Sequence, residues 1–268
     1  RQKRAVGPVV FIDHMGPANL SAHENLDVLP HPHIGLSTLT FLFEGAIMHS
    51  DSLGNHVEIR PGAVNWMTAG RGVVHAERTP TYLRHVSKTL HGLQIWVALP
   101  KHLEETEPSF THIPADSIPS WLSDGLKYTL IAGELGDKKS PVPVHSPLYF
   151  VEIKNETDDA RCVQINYLLF GESGLYILEG SVVSEGHTYA PQQILIAHDS
   201  KLCQFDLAPH ATVYLFGGEP FAEERFIDWN FVSSDKERLK KAKADWINQR
   251  FERVPGEDDY APYPERNG

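Results

Sequence analysis

The sequence predicts an all-β protein built as two successive β domains and closed by one C-terminal amphipathic helix. Three observations lead there. Nineteen Pro and twenty Gly punctuate the 268 residues every few positions. Between them lie runs of strand length, Thr38–Phe43, Leu93–Leu99, Tyr128–Ala132, Tyr149–Ile153 and Val163–Phe170, and short strands separated by turn residues indicate a sandwich or barrel. Only the tail spaces its apolar residues as a helix does.

The first β series occupies residues 1–133. Within it Asp51-Ser52-Leu53-Gly54-Asn55 reads as a hairpin turn and Arg60-Pro61-Gly62-Ala63 as a second tight turn. Over residues 134–147 three prolines and a charge cluster interrupt any sheet, and an interdomain connection is expected there. The second series, 148–232, echoes the first: Phe41-Leu42-Phe43-Glu44-Gly45 resembles Tyr176-Ile177-Leu178-Glu179-Gly180, as an internal duplication would. In residues 233–268, Ser234-Asp235-Lys236-Glu237 has the Ser-x-x-Glu pattern of a capping box. Leu239, Ala242, Trp246, Ile247 and Phe251 follow at helical spacing, predicting about four or five turns whose apolar stripe docks on the protein's own barrel rather than on a membrane. Pro255-Gly256-Glu257-Asp258-Asp259 reads as an acidic turn or extended tail.

Composition narrows the function. With 24 Lys+Arg against 35 Asp+Glu the net charge is −11, and no stretch is basic enough to read nucleic acid directly. The 41 % apolar and 22 % charged residues are those of a soluble globular chain. The longest apolar runs, Tyr167–Phe170 and Leu93–Pro100, fall far short of the roughly 20 residues of a membrane span, so no membrane partner is expected. The chain begins with Arg and no apolar signal core follows, which predicts no export signal and a cytoplasmic monomer, or a nuclear one in a eukaryote. Cys162 and Cys203 lack close spacing and read as two reduced thiols.

The chemistry concentrates in histidine: eleven of the fifteen lie in residues 1–112. His31-Pro32-His33 places two imidazoles on one face of an extended chain, and His75-Ala76-Glu77 repeats the geometry with an imidazole and a carboxylate. On neighbouring strands these pairs could converge on one divalent first-row ion, with open positions left over. Either pair alone is more often structural; their joint setting among Gly35, Gly45, Gly62, Gly70 and Gly72 favours a metal. The second domain has no His-x-His, and its His187, His198 and His210 suggest no site. His49 and Asp51 share a strand face and could orient a ligand, or stand on a surface hairpin. Trp66 and Met67 are candidates for a cavity mouth, or ordinary packing. Asp13 adjoins His14 but faces the other way, and Arg71 sits on a turn where an anionic ligand could meet it.

These residues carry a family resemblance. The string His31-Pro32-His33-Ile34-Gly35-Leu36-Ser37-Thr38-Leu39-Thr40, then Gly45-x-x-x-His49-x-Asp51-Ser52-x-Gly54, then Pro61-Gly62-x-x-x-Trp66-Met67-Thr68-Ala69-Gly70-x-Gly72-x-x-His75-x-Glu77, resembles the signature of the pirin family, two-domain members of the cupin superfamily. The match is dense from Gly7-Pro8 through Glu77, and a second β domain and a C-terminal helix agree with it. The resemblance implies two cupin-type jelly-roll β-barrels and one divalent ion in the N-terminal barrel, held by His31, His33, His75 and Glu77. Fe(II) is the usual assignment, with Mn, Ni, Cu, Zn and Co also accepted by such ligands. In the general cupin pattern a Glu follows soon after the second His; Thr38 stands near that position, and Glu77 supplies the carboxylate as in pirins. The resemblance further implies a quercetin 2,3-dioxygenase-like oxidoreductase acting with O2 on quercetin or another small aromatic enol, Glu77 being the catalytic proton acceptor. Two other readings use the same ligands: an iron- or redox-sensing cofactor that binds a protein partner as a transcriptional co-regulator, and a metabolite-binding cupin without turnover.

Overall fold

A computed structural model describes residues 4–165, 169–197 and 204–264 of the chain. They fall into two units, Phe11–Ala115 with Ala222–Gly268, and Arg1–Val10 with Asp116–Phe221.

The first unit holds β1 (Val9–Leu20), β2 (Val28–His33), β3 (Leu36–Glu44), β4 (Ile47–Asp51), β5 (His56–Ile59), β6 (Val64–Thr68), β7 (Val73–Arg78), β8 (Lys88–Ala98) and β9 (Ser109–Ile113). They form two sheets, β1-β8-β3-β6-β9 and β2-β7-β4-β5. The sheets stay separate in hydrogen bonding, so the sandwich form of the jelly roll is realised rather than a closed barrel. Alternation along β3 explains how they meet. Leu42 faces the second sheet and packs with Ile47, Ile59, Ala63 and Leu90, while Thr38 and Thr40 point the same way beside Trp96 and Gln94 of β8. Both predicted turns are present: Asp51 N–H donates to Asn55 O between β4 and β5, and Ala63 N–H to Arg60 O.

The C-terminal segment completes this unit. Strands Phe226–Asp228 and Phe231–Ser233 form a ribbon, and Val232 N–H donates to Ile34 O (3.1 Å) beside a parallel bridge from Ile34 to Phe231. Gly35 permits the approach: its φ is +67°, and a Cβ there would lie 1.9 Å from Val232 O. Helix α1 (Lys236–Ile247) is shorter than the spacing predicts, and its N-cap is Asp235, whose carboxylate accepts from Glu237 N–H (2.9 Å). Ser234 is drawn away from a capping role by Glu104, which accepts from both its N–H and its hydroxyl. Leu239, Ala242 and Trp246 are buried against Ile34, Val74, Phe231 and Val254, as the stripe predicts. Ile247 is not: at the last turn it faces solvent, 57 % exposed. Phe251 lies beyond the helix and returns to stack on Phe231. The acidic tail is tied down as well, through Ala261 N–H to Pro30 O and Arg78 to Glu257.

The second unit carries β10 (Ser120–Ser123), β11 (Leu126–Leu135), β12 (Lys138–Lys139), β13 (Leu148–Asn155), β14 (Arg161–Gln164), β15 (Glu172–Glu179), β16 (Val182–Ser184), β17 (His187–Tyr189), β18 (Ile194–Ile196), β19 (Gln204–Leu207) and β20 (Thr212–Gly218). One sheet runs β10-β11-β13-β20-β15-β18 with β12 beside β11, the other β14-β19-β16-β17, around a core that includes Tyr149, Val151, Leu175, Phe205 and Leu215.

The unit boundaries differ from those expected. Residues 134–147 are no connector: β11 turns back into β12, Ser140 donates to Gly133 O and Ile131 O, and Val142 is buried. The prolines there end one sheet edge instead of a domain. The division falls at 115/116, and residues 222–232, expected in the second domain, join the first unit. The Glu-Gly echo has a structural counterpart. β3 and β15 each show a register irregularity just before Glu44 and Glu179, and each Glu is followed by a glycine of positive φ. Cys162 is an exposed free thiol, and Cys203 and His198 lie outside the described residues. No helix among the described residues is long and apolar enough to cross a membrane.

Candidate metal centre

Strand β7 is paired on both sides, with β2 on one and β4 on the other. Directly across from His75 stand His31 of β2 and Asp51 of β4, and directly across from Glu77 stands His49. The i/i+2 spacing of His31/His33 and of His75/Glu77 turns all four toward the β8-containing sheet. All four are buried: His33 is 0 % and His75 1 % exposed, and His31 and Glu77 each 7 %.

The three imidazoles converge, with one ligand nitrogen of each within 4.8 Å of the others. Burial pushes the His31 pKa down to about 4 and those of His33 and His75 well below the usual range, so the rings are neutral. Two tautomers are fixed by backbone carbonyls, which can only accept. His31 Nδ1–H donates to Leu29 O (2.8 Å), inside the irregularity where β2 slips against β7, and His33 Nδ1–H donates to Asn230 O (3.2 Å) of the C-terminal ribbon. Each therefore keeps its lone pair on Nε2. Two buried rings with lone pairs aimed at a third are a donor set for a divalent cation, with the outer nitrogens tethered as in metal sites generally.

Glu77 stands beside this group rather than inside it. Its Oε1 accepts from Gln94 Nε2 (2.9 Å), and burial raises its pKa. Gln94 is held in turn: Trp96 Nε1–H donates to Gln94 Oε1 (3.2 Å). Trp96 also meets His33 edge-on, with ring centroids 5.2 Å apart.

The remaining candidates separate. Met67 faces the interior, packed with Val73 and Phe110, whereas Trp66 is turned to the opposite face, where its indole N–H donates to Thr68 Oγ1. Adjacent strand residues cannot share a face, so Trp66 does not line the site. His49 is not at the surface: it is 4 % exposed, stacks on Phe110 and lies beside His75, with Nδ1 3.4 Å from His75 Nδ1. His14 meets His91 across β1 and β8 (2.7 Å). Arg71 pairs with Glu107 (2.8 Å) and lines a cleft of about 390 Å³ together with Arg238, Lys241 and Arg250. Sequence reasoning missed Gln94, Trp96, Phe110 and Asn230. A polar residue two places from a Trp inside the apolar run Leu93–Leu99 was the available signal for the first two.

Comparison with known proteins agrees with this architecture. The pirin family model matches residues 1–97, and the model of the pirin C-terminal cupin domain matches residues 158–252. A pirin-like protein of Caulobacter vibrioides is 45 % identical, over 98 % of this chain and 91 % of its own length. Human pirin is 30 % identical, over 84 % of this chain and 78 % of its own. The crystal structure of a quercetin 2,3-dioxygenase from Acinetobacter baumannii superposes with a TM-score of 0.88 at 36 % identity, covering 100 % of this chain and 89 % of that one.

Proposed function

The chain belongs to the pirin family of cupin proteins, and from that premise we propose that it is a dioxygenase that oxidises quercetin or a related flavonol enediol with O2, using Fe(II). The observation that carries this reading is the convergence of three buried imidazoles, His31, His33 and His75, with the buried carboxylate of Glu77 beside them. Held by His31, His33, His75 and Glu77, the ion would polarise the substrate's enol oxygen as a Lewis acid and exchange electrons with O2.

The chain's own residues do the rest. Gln94 donates to Glu77 Oε1 and leaves one lone pair there and two on Oε2, enough for the carboxylate to face the ion with one oxygen and take the hydroxyl proton of the substrate with the other. The Gln94 hydrogen bond fixes the plane in which Glu77 accepts. Trp96, edge-on to His33, offers an apolar aromatic surface beside the imidazoles that a planar aromatic enol could meet. The likeness to the Acinetobacter quercetin dioxygenase supports this substrate class.

Oxygen uptake with quercetin tests the proposal. Iron-loaded protein should exceed an equal concentration of free iron, and Glu77→Gln should lower kcat by about 10²–10⁴-fold while metal is retained. No uptake above free iron with the site full would sink the enzyme reading. Full turnover in a metal-replete Glu77→Gln variant would remove Glu77 as the base.

A further inference from the structure

Asp51, His49, His75 and His33 form one continuous row of polar contacts. Asp51 Oδ1 accepts from the backbone N–H groups of Leu53 and Asn55 and from Asn55 Nδ2, each at 3.0 Å. Asp51 Oδ2 accepts from Asn55 Nδ2 (2.9 Å) and lies 3.1 Å from His49 Nε2. A carboxylate that accepts at every site leaves His49 Nε2 as the donor. Beyond it, His49 Nδ1 is 3.4 Å from His75 Nδ1, His75 Nε2 is 3.1 Å from His33 Nε2, and His33 Nδ1–H donates to Asn230 O.

Four contacts need four protons, and three imidazoles carry three when each is in its neutral form. Both ends are decided: Asp51 claims the proton of His49, and the Asn230 carbonyl claims that of His33. The last proton belongs to His75 and serves either Nδ1 or Nε2. On Nδ1 it fills the contact with His49. His75 Nε2 and His33 Nε2 then face each other lone pair to lone pair, with His31 as the third nitrogen of the group. Lone pairs so opposed are a donor set for a cation.

We propose that Asp51 and His49 are positioning residues that hold the His75 proton on Nδ1 and so present the Nε2 lone pair to the ion. The inference rests on His75 being a ligand in the proposed site. It also explains why a side-chain relay is used here. His31 and His33 are oriented by carbonyls of Leu29 and Asn230, but His75 sits on a strand paired on both sides, where the neighbouring carbonyls are committed to the ladder. Phe110, stacked on His49 at 4.3 Å and 15°, fixes the plane of the relaying ring.

Zn(II), a diamagnetic probe, tests this without reference to turnover. In histidine-¹⁵N-labelled, zinc-loaded protein the His75 Nδ1 should be protonated and its Nε2 should not. Loss of the relay by His49→Leu, or its reversal by Asp51→Asn, should weaken Zn(II) affinity about 10–100-fold. His49→Asn, whose Oδ1 stands close to the lost Nδ1, should stay near the parent. An unprotonated His75 Nδ1 in the zinc-loaded parent would overturn the proposal, as would parental affinity in both His49→Leu and Asp51→Asn, or equal losses in His49→Leu and His49→Asn. The ligand assignment is tested separately by His75→Ala: parental affinity there would remove the metal reading itself.

Discussion

Gln94 is held at both ends of its amide, Oε1 by the Trp96 indole and Nε2 on Glu77, so its orientation is decided by partners rather than by preference. All three side chains are buried. Gln94→Leu would leave the indole N–H and the Glu77 carboxylate short of a partner each, and should cost about 1–3 kcal/mol in a urea titration. A fold-neutral result would show that water replaces the amide. The contrast with the histidines explains what could be read in advance. His31/His33 and His75/Glu77 announce themselves because strand geometry turns i and i+2 to one face, so each pair is a local signal. Gln94 reaches Glu77 from a strand of the opposing sheet, and Asn230 reaches His33 across 197 residues. No spacing rule links such positions. Trp66 and Met67 show the same limit from the other side: alternation says that only one of them faces the site, but not which one.

Strand β2 is anchored where it begins. Asp27 accepts from Thr79 N–H just past β7, and both its oxygens receive the guanidinium of Arg84 (3.1 and 2.9 Å). Burial raises the Asp27 pKa, but the hydrogen bonds from Arg84 and Thr79 outweigh it and the net shift is downward. A carboxyl depressed in the folded state stabilises above its unfolded pKa, about 3.9, and the contribution is lost as pH falls through the folded value. Asp27→Asn should therefore lower stability at pH 7 by about 0.5–1 kcal/mol, the partly exposed pair being screened by solvent. The gap between the thermal melts of the two proteins should begin to narrow at about pH 4 and close only below the folded value; a gap that stays undiminished as pH falls would assign the effect to packing. Helix α1 permits a paired test. Trp246→Ala should cost about 3–5 kcal/mol, whereas Ile247→Ala, at an exposed position, should stay within about 0.5 kcal/mol. Equal losses in urea would contradict the observed helix face. The helix itself was legible from its apolar spacing. Its first residue was not, because the choice between Ser234 and Asp235 as cap is made by Glu104, a residue of another element.

At the scale of the molecule, two β series and a closing helix were legible because turn residues and periodicity report local structure. The grouping of those elements was not, because it depends on which surfaces they bury. Val74 and Ile34, neighbours of the clustered histidines, have their apolar partners in Phe231, Leu239 and Trp246. A chain cut after Phe221 would lose these and the Asn230 acceptor together. Such a truncation should bind no stoichiometric metal by elemental analysis after gel filtration; a full complement would show that the four predicted ligands suffice. The same discontinuity has a temporal side. A ribosome delivers residues 11–115, then residues 116–221 of the intervening unit, and only after them the segment from 222 on that finishes the earlier one. The histidine cluster is synthesised early and completed last. A nascent chain thus carries its clustered histidines before the carbonyl that sets one of them has been made.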